Sequence, residues 1–192
     1  MTQEEFKELS QGKPIIWEQS FLRERGLHFV DRIVAAVHYH SHPLLKRAIH
    51  RFKYKKVRGL EMQFVTLLDG AADRIHIGSE TPVLCAVPLH WMRRFSRGFN
   101  QAECLAAALS QKKGWELSCC LRRVRATGHQ VHRKKEERLR ALTDAFVAPD
   151  FVPPFVLLID DLSTTGATFD ACAKALKIAG AKRVEGLAIA QG

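Results

Sequence analysis

The chain has 192 residues, of which 46% are hydrophobic, and it carries a formal net charge of +10 at pH 7. This length and apolar fraction suffice for one substantial core, so two independent domains are not expected. No apolar run approaches the roughly 20 residues that a membrane-spanning helix needs, and the acidic N-terminus lacks the residue order of a signal peptide. We therefore expect a cytoplasmic protein without a membrane partner, with an N-terminal extension over residues 1–26 and one domain over residues 27–192.

The first elements are predicted from apolar spacing. In the extension, Trp17, Phe21 and Leu22 can pack while the Glu and Arg side chains stay solvated, which favours a docked short helix. Residues 33–40 alternate well enough for a strand, and a basic helix is predicted over residues 43–57.

A strand-to-helix unit follows in the middle of the chain. Residues 83–89 form a short apolar run typical of a buried strand, and His90 stands at its end. A basic stretch containing Arg97 and Gly98 then leads to Asn100, a residue type favoured as a helix N-cap. A cationic loop at a helix N-terminus is suited to an anion, although the segment taken alone is equally typical of a basic surface loop with a well-capped helix.

The second strand-to-helix unit carries most of the functional information. Residues 155–159 are an apolar run that leads directly into the adjacent carboxylates Asp160 and Asp161, and a strand is predicted over residues 155–160. The loop that follows has only small side chains: Ser163, Thr164, Thr165, Gly166, Ala167 and Thr168. Such a loop lets a phosphate reach the backbone N–H groups at the start of the next helix. A lone Asp-Asp pair would more simply be an acidic strand end, but the ordered combination favours a phosphate site.

The two carboxylates indicate what accompanies the phosphate. Placed directly against it they would repel it, so Asp160 and Asp161 are better suited to accept hydrogen bonds from vicinal ribose hydroxyls. They can also hold a hydrated Mg²⁺ through water, without direct protein ligation. The expected ligand is therefore a phosphorylated sugar.

This stretch resembles the phosphoribosyl-diphosphate (PRPP) motif of type I phosphoribosyltransferases, an acidic pair followed by Thr-Thr-Gly-Ala-Thr. The resemblance implies that Asp160 and Asp161 hold the ribose hydroxyls and that residues 163–168 hold the 5′-phosphate. It also implies Mg²⁺ as the cofactor that accompanies PRPP. The chain has neither the Gly-rich Lys-Ser/Thr loop of P-loop enzymes nor a G-x-G-x-x-G turn.

Three further segments resemble the ComF/GntX branch of the phosphoribosyltransferases, which is associated with natural competence. They are Arg-Phe-Lys-Tyr at 51–54, Val-Pro-Leu-His at 87–90 with Arg-Gly-Phe-Asn-Gln-Ala at 97–102, and Leu-Arg-Arg-Val-Arg-Ala-Thr at 121–127. In related transferases the corresponding strand-to-helix loop holds the pyrophosphate of PRPP. The resemblance therefore implies this role for the loop that contains His90, Arg97 and Gly98. The third segment corresponds to the hood that closes over the diphosphate. Residues 131–134 and Ala141 depart from the usual pattern there, which affects the acceptor side of the site.

The alternation of strands and helices predicts an α/β fold with a mostly parallel central sheet flanked by helices. The predicted strands are 33–40, 83–89, 118–121, 155–160 and 183–190. The resemblance refines this to the Rossmann-like phosphoribosyltransferase fold. It implies an enzyme that transfers ribosyl phosphate from PRPP to an acceptor that the sequence does not identify, with no residue identifiable as a general base.

The positive charge supports an alternative function. Basic clusters interleaved with Phe52, Tyr54, Trp91, Phe95 and Phe99 are what a single-stranded DNA groove requires, although these aromatics are also good core residues. On this hypothesis a catalytically weak or inactive PRPP fold handles single-stranded DNA beside a competence helicase. The sequence leaves the oligomeric state open, with a homodimer among the options.

The cysteines and histidines give mainly negative predictions. Five cysteines without a C-x-x-C pair argue against a disulfide framework and against a Cys-based zinc site such as the module that begins many ComF proteins. Cys85 and Cys172 are predicted to be small buried apolar residues. His38, His40 and His42 alternate but have no acidic neighbour in their segment, so a metal role is disfavoured.

Overall fold

The computed structural model describes residues 12–40, 43–55, 58–75, 80–89, 98–124 and 145–192, together with a few isolated positions between these ranges. The strands are β1 (Ile15–Trp17), β2 (Arg32–His38), β3 (Val83–Ala86), β4 (Arg122–Arg123), β5 (Phe146–Val147), β6 (Phe155–Ser163) and β7 (Arg183–Gln191). The helices are α1 (Gln19–Glu24), α2 (Pro43–Lys55), α3 (Arg58–Ala72), α4 (Gln101–Lys113) and α5 (Ala167–Ile178).

Five strands form the central sheet in the order β1-β2-β7-β6-β3. The pairs β2–β7, β7–β6 and β6–β3 are parallel, and β1 is antiparallel to β2 at the edge. The predicted α/β class with a mostly parallel sheet is therefore confirmed. Because the four parallel strands point the same way, their carboxyl ends meet at one edge, which is where ligands collect in such sheets.

The predicted strand at 118–121 is wrong. Leu117 forms a single parallel bridge with Leu84, and the chain enters a strand only at β4, which pairs with β5 in a separate small sheet. The neighbouring strand β3 ends at Ala86, and Pro88 beyond it has no N–H with which to continue the hydrogen-bonded ladder. Residues 118–121 therefore cannot extend the pairing that begins at Leu117.

The core has two layers, one on each face of the sheet. Successive residues of β6 point to opposite faces, so Leu157 and Ile159 join the buried cluster that contains residues of α2, α3 and α4. Val156 and Leu158 join the cluster on the other face, formed with α1, α5 and β5. The carboxyl end of β6 is thus covered by different elements on its two sides.

The N-terminal segment is part of this packing. Strand β1 extends the sheet by pairing with β2. The sequence predicted a docked short helix in this segment but not this strand. Leu22 of α1 is fully buried, and Arg25 lies over the rings of Trp17 and Phe21 at 5.1 and 4.6 Å. Among the helices in the described ranges, none is long and apolar enough to cross a membrane.

Candidate functional site

The two adjacent carboxylates of β6 point to opposite faces of the sheet. Strand β6 continues past the predicted end at residue 160 to Ser163, so both Asp160 and Asp161 still follow the alternation of a strand. Asp161 faces the α2 side and Asp160 the α5 side. The pair therefore contributes one carboxylate to each face.

Asp161 is held by an ion pair with α2. The Lys53 Nζ lies 3.1 Å from Asp161 Oδ1, and the two side chains are 20% and 8% exposed. The Gln101 side chain at the start of α4 in turn donates from Nε2 to the Lys53 backbone oxygen at 3.0 Å. The PRPP-like motif and two of the segments that resemble the ComF branch are thus joined in one chain of polar contacts at the end of β6.

Asp160 is the more perturbed carboxyl. Burial, followed by the charge of Asp161, raises the pKa of Asp160 to about 7, and Lys53 and Arg123 act in the opposite direction. The Asp161 backbone N–H donates to Asp160 Oδ1 at 2.8 Å. A group that titrates near neutral pH at a strand end in a cleft is a candidate functional residue. The charge of Arg123, in the third segment that resembles the ComF branch, also acts on Asp160.

The predicted phosphate loop lines an open cleft at the N-terminus of α5. The lining residues are Asp160, Leu162, Ser163, Thr164, Thr165, Gly166, Ala167, Thr168 and Phe169. Its empty volume of about 230 Å³, including adjoining solvent, is below the roughly 300–1,000 Å³ of pockets that enclose a whole small molecule. The cleft therefore suits one group of a ligand. Asp161 does not line it.

Ser163 gives the cleft an unsatisfied polar atom. The residue is 5% exposed, and its Oγ is buried without a hydrogen-bond partner among the residues that the structure describes. Buried hydroxyls are normally paired, so this unpaired Oγ at a residue that lines the cleft is a candidate functional group. Thr164 and Thr165 are exposed beside it, and the Ala167 N–H makes only a long contact of 3.4 Å with Thr165 Oγ1.

Gly166, one of the residues that line the cleft, is constrained by the packing beneath the loop. Its φ of 77° is in the left-handed region, which favours glycine. A Cβ at this position would lie 2.7 Å from Leu27 Cδ1 and 2.9 Å from Ile33 Cδ1. The glycine is needed because the loop packs on the core, and a side chain here would point away from the phosphate cleft.

The second predicted loop is described only at its end. Gly98 has a positive φ of 75°, and Asn100 caps α4 by accepting from the Ala102 N–H at 3.1 Å, as expected from its residue type. Asn100 Nδ2 also donates to the Val87 oxygen at 3.1 Å, so this side chain ties the start of α4 to the end of β3. His90 and Arg97 lie outside the described residues.

Metal ligands are not assembled in the part of the chain that the structure describes: no three His, Cys, Asp or Glu side chains there are placed to hold an ion. Of the alternating histidines, His40 contacts Lys46 through Nδ1 at 3.1 Å, and His42 lies outside the described ranges. The oxygen-lined cleft with Asp160 fits a hydrated Mg²⁺ that arrives with its ligand, because Mg²⁺ keeps several waters and takes few protein carboxylates.

Lys53 and Arg123 were not assigned to the site by sequence reasoning. The sequence did contain an indication that these two residues belong to the site, since each lies in a basic segment that resembles the ComF branch. What sequence alone does not show is that Lys53 pairs with Asp161 and that the charge of Arg123 acts on Asp160, because these residues are far apart in the chain.

Relatives of known name cover most of the chain. Competence protein F of Haemophilus influenzae is 30% identical over 166 residues, which are 81% of this chain and 70% of that protein. DNA utilization protein YhgH of Salmonella typhimurium is 32% identical over 149 residues, 74% of this chain and 65% of that protein. Competence protein ComFC of Streptococcus pneumoniae is 37% identical over 100 residues, 52% of this chain and 43% of that protein. No protein-family model and no solved structure matches the chain.

Proposed function

Because the chain belongs to the competence protein F family, whose members are named for competence and DNA utilization, we propose that it serves competence or DNA utilization by binding PRPP with Mg²⁺ at the carboxyl end of β6. The observation that carries this proposal is the cleft of small residues at the N-terminus of α5, whose lining residue Ser163 has a buried Oγ without a partner among the described residues. A hydroxyl in that position can donate to a phosphate oxygen, and the helix N-terminus favours negative charge.

The ribose would lie next to the phosphate, over Asp160. This carboxylate lines the cleft, whereas Asp161 is held by Lys53. Asp160 is therefore the better candidate to accept from a ribose hydroxyl or from a water of Mg²⁺. Asp161 would instead hold Lys53 in place, at the point where α2 contacts the start of α4.

The proposed reaction is transfer of ribosyl phosphate to a nucleophile with release of pyrophosphate. The loop that contains His90, Arg97 and Gly98 would receive the pyrophosphate, since it leads to the capped N-terminus of α4. Arg123, whose charge acts on Asp160, would add positive charge near the leaving diphosphate. The acceptor would bind at the 125–144 segment, which lies outside the described residues. No acceptor is therefore proposed from that segment.

Isothermal titration calorimetry with PRPP, with and without Mg²⁺, tests the ligand. Ser163→Ala should weaken binding by about 10-fold, which corresponds to the loss of one charge-assisted hydrogen bond. Ser110→Ala is the matched control, because the Ser110 hydroxyl is paired with the Trp115 oxygen at 2.6 Å, away from the cleft. Equal affinities for the two variants, or no heat with PRPP in wild type, would reject the proposal.

A second function is favoured by one face of α2. Its buried side is Leu45, Ala48, Ile49 and Phe52, while its solvent side presents Arg47, His50, Arg51 and Tyr54. Tyr54 is 55% exposed and its ring lies 4.8 Å from that of His50. The sequence of α2 contains no Asp or Glu. A cationic stripe with an exposed aromatic ring is what single-stranded DNA needs for backbone contact and stacking.

The aromatic residues interleaved with the basic clusters differ in burial. Phe52 is core, and Phe99 is half-buried against it with ring centroids 6.2 Å apart. Tyr54 and Phe95 are exposed, and Trp91 lies outside the described residues. Stacking on DNA is therefore proposed for Tyr54 on α2, and Phe52 is excluded from it.

Fluorescence anisotropy of a labelled oligonucleotide over a salt series tests this second function. Replacing Arg47 and Arg51 with Ala should lower the slope of log affinity against log salt by up to about 1.4, at roughly 0.7 per phosphate contact. The control is the double change of Arg23 and Lys182 to Ala, which removes the same charge from exposed positions elsewhere. Equal slopes for both double variants would make the effect one of net charge alone and remove α2 from the interface.

A further inference from the structure

Three neighbouring strands end in line beside the phosphate cleft. The Tyr39 N–H donates to the Gln191 oxygen at 2.7 Å, and the Gly192 N–H donates to the Ser163 oxygen at 2.9 Å, so the pairing of β2, β7 and β6 continues to their last residues. The next residues in this register are Tyr39, Gly192 and Thr164. Because Thr164 lines the cleft, this row of three residues adjoins it.

Gly192 leaves a narrow slot in the row. A Cβ at this position would lie 3.4 Å from Thr164 Cγ2, 3.7 Å from Tyr39 Cβ and 3.8 Å from Leu162 Cδ1. These are ordinary contact distances between carbon atoms, so the slot between the Thr164 and Tyr39 walls is one carbon atom thick. Leu162 and Thr164 also line the phosphate cleft. The slot and the cleft therefore share two lining residues.

A cation lies beside the tyrosine wall of the slot. The Lys46 Nζ is 5.4 Å from the centre of the Tyr39 ring and 3.1 Å from His40 Nδ1. An ammonium has three N–H donors, and the contact with His40 occupies one of them. Helix α2, which carries Lys46, contains no Asp or Glu. Within the described ranges, no carboxylate forms an ion pair with Lys46. The surroundings of the slot therefore suit an anionic group.

The place of the slot in the sheet indicates which part of a reaction it would serve. The loop proposed for pyrophosphate follows β3, and the phosphate loop follows β6. The sheet order β1-β2-β7-β6-β3 puts the slot on the other side of β6 from β3. In a single displacement at a sugar carbon, the nucleophile approaches the face opposite to the leaving group. The slot thus lies on the side from which an acceptor would approach.

We propose that the slot over Gly192 is a binding subsite for a planar ring that bears an acidic group, with Thr164 and Tyr39 as its walls and Lys46 as its cation. Its role as an acceptor subsite rests on the ribosyl transfer proposed above. In that transfer the bond from C1′ to pyrophosphate breaks and its electron pair leaves with pyrophosphate. A lone pair of the ring molecule forms the new bond to C1′, and any proton on the attacking atom passes to water. Residues 125–144 would complete the acceptor site.

Three small probes test the subsite without PRPP. Benzoate is planar and anionic, benzamide is planar and neutral, and cyclohexanecarboxylate is anionic but not planar. In a nuclear magnetic resonance titration of the isotope-labelled full chain, benzoate should shift the amide signals of Gly192 and Thr164. It should bind about 10-fold more tightly than either other probe, because benzamide lacks the charge and the saturated ring overfills the slot. No saturable shift with benzoate, or equal affinities for the three probes, would overturn the proposal.

Two variants and one control locate the bound ring. Gly192→Ala fills the slot with a methyl group, and Gly192 is not among the glycines with positive φ, so the fold should be kept while benzoate affinity falls about 10-fold. Lys46→Met should weaken benzoate by a similar factor and leave benzamide unchanged. Lys182→Met, the same change at an exposed position on the amino edge, should affect neither probe. Unchanged benzoate affinity in Gly192→Ala would contradict the assignment.

PRPP calorimetry separates the failure of this inference from the failure of the proposed function. With both ligands present, a nuclear Overhauser effect between the benzoate ring and the ribose proton at C1′ would support the acceptor role. Benzoate binding by a chain that does not bind PRPP would reject the transfer and the acceptor role with it. PRPP binding by a chain that does not bind benzoate would reject the subsite and leave the proposed function in place.

Discussion

Asp160 and Asp161 are neighbours in sequence but have different surroundings. Lys53 neutralises Asp161 from the α2 side, while Asp160 lies in the cleft on the α5 side. Burial disfavours the charged form of Asp160 and so raises its pKa, and the neighbouring charge of Asp161 adds to this effect. The chemistry of the pair is therefore divided between a structural carboxylate and a titratable one.

The first prediction concerns the pH dependence of stability. The pKa of Asp160 is about 7 in the folded protein, against about 3.9 in an unfolded chain. The contribution of its bound proton to stability is complete below about pH 4 and is lost as the pH rises to about 7. Asp160→Asn, which stays neutral, should resemble wild type at low pH and be the more stable protein above about pH 7. Urea unfolding at several pH values measures this, and a difference that does not change with pH would contradict it.

The second prediction concerns the cation that faces Asp161. Lys53→Met leaves a buried carboxylate without its partner, so the free energy of unfolding should fall by about 1–3 kcal/mol. Arg51→Met on the same helix is the control, because Arg51 is exposed and a surface change there should cost less than about 0.5 kcal/mol. Chemical denaturation of both variants compares them. Equal losses would show that Lys53 is an ordinary surface residue.

At the scale of elements, the site depends on where two helices begin. Helix α5 starts directly after a glycine packed on Leu27 and Ile33, and α4 starts at a buried asparagine bonded to the end of β3. Both helix N-termini are thereby fixed at the carboxyl edge of the sheet. The loops that could bind anions are positioned by core packing beneath them.

The third prediction separates backbone strain from close packing at α5. Gly166→Ala and Gly114→Ala both place a Cβ at positive φ, 77° and 68°, but only the first meets neighbouring atoms. Gly114→Ala should lose about 1–2 kcal/mol of stability from strain, and Gly166→Ala should lose a further 1–3 kcal/mol, roughly, from overpacking. Thermal and urea unfolding give the comparison. Equal losses would mean that Leu27 and Ile33 move aside freely.

The fourth prediction concerns the start of α4. Asn100→Ala removes the cap, worth about 0.5–2 kcal/mol, and also leaves the Val87 oxygen without the Asn100 donor. Asn100→Ser keeps a capping hydroxyl but is too short to replace that donor, so its loss of stability should be smaller and still measurable. The two variants should rank in this order by urea unfolding. If serine restored full stability, the bond to Val87 would contribute nothing.

At the scale of the whole molecule, the carboxyl and amino edges of the parallel sheet carry different kinds of contact. The carboxyl edge holds the carboxylates and both helix N-termini, whereas the amino edge is fastened by structural contacts. There Asp31 Oδ2 accepts from the Val184 N–H and from Lys177 Nζ, both at 2.7 Å. These bonds connect the starts of β2 and β7 and the end of α5.

The fifth prediction follows from this division. Asp31→Ala leaves the Val184 N–H without its acceptor and should lower the free energy of unfolding by about 1–3 kcal/mol. It should leave the affinity for PRPP unchanged, while Ser163→Ala weakens that affinity with little effect on stability. Urea unfolding and PRPP calorimetry of both variants measure this. Asp31→Ala should lose stability and keep its affinity, and Ser163→Ala should do the reverse. A joint loss of both properties in Asp31→Ala would show that the edges are coupled.

The sequence determined the features that depend on neighbouring residues. Apolar runs predicted the strands that became β2, β3, β6 and β7, because a strand buried on both faces must be apolar throughout. The residue type of Asn100 predicted its capping role, since that depends on an N–H only two residues away. The resembling motifs also identified the family that the named relatives show.

Only the tertiary structure decided which distant groups meet. The pairing of Lys53 with Asp161 depends on how α2 crosses the end of β6, and no local pattern encodes that. The segment after Leu117 looked like a strand but had no partner beyond Ala86, because a strand exists only through its ladder. Local chemistry fixed the elements of this protein, and long-range packing determined which side chains share a site.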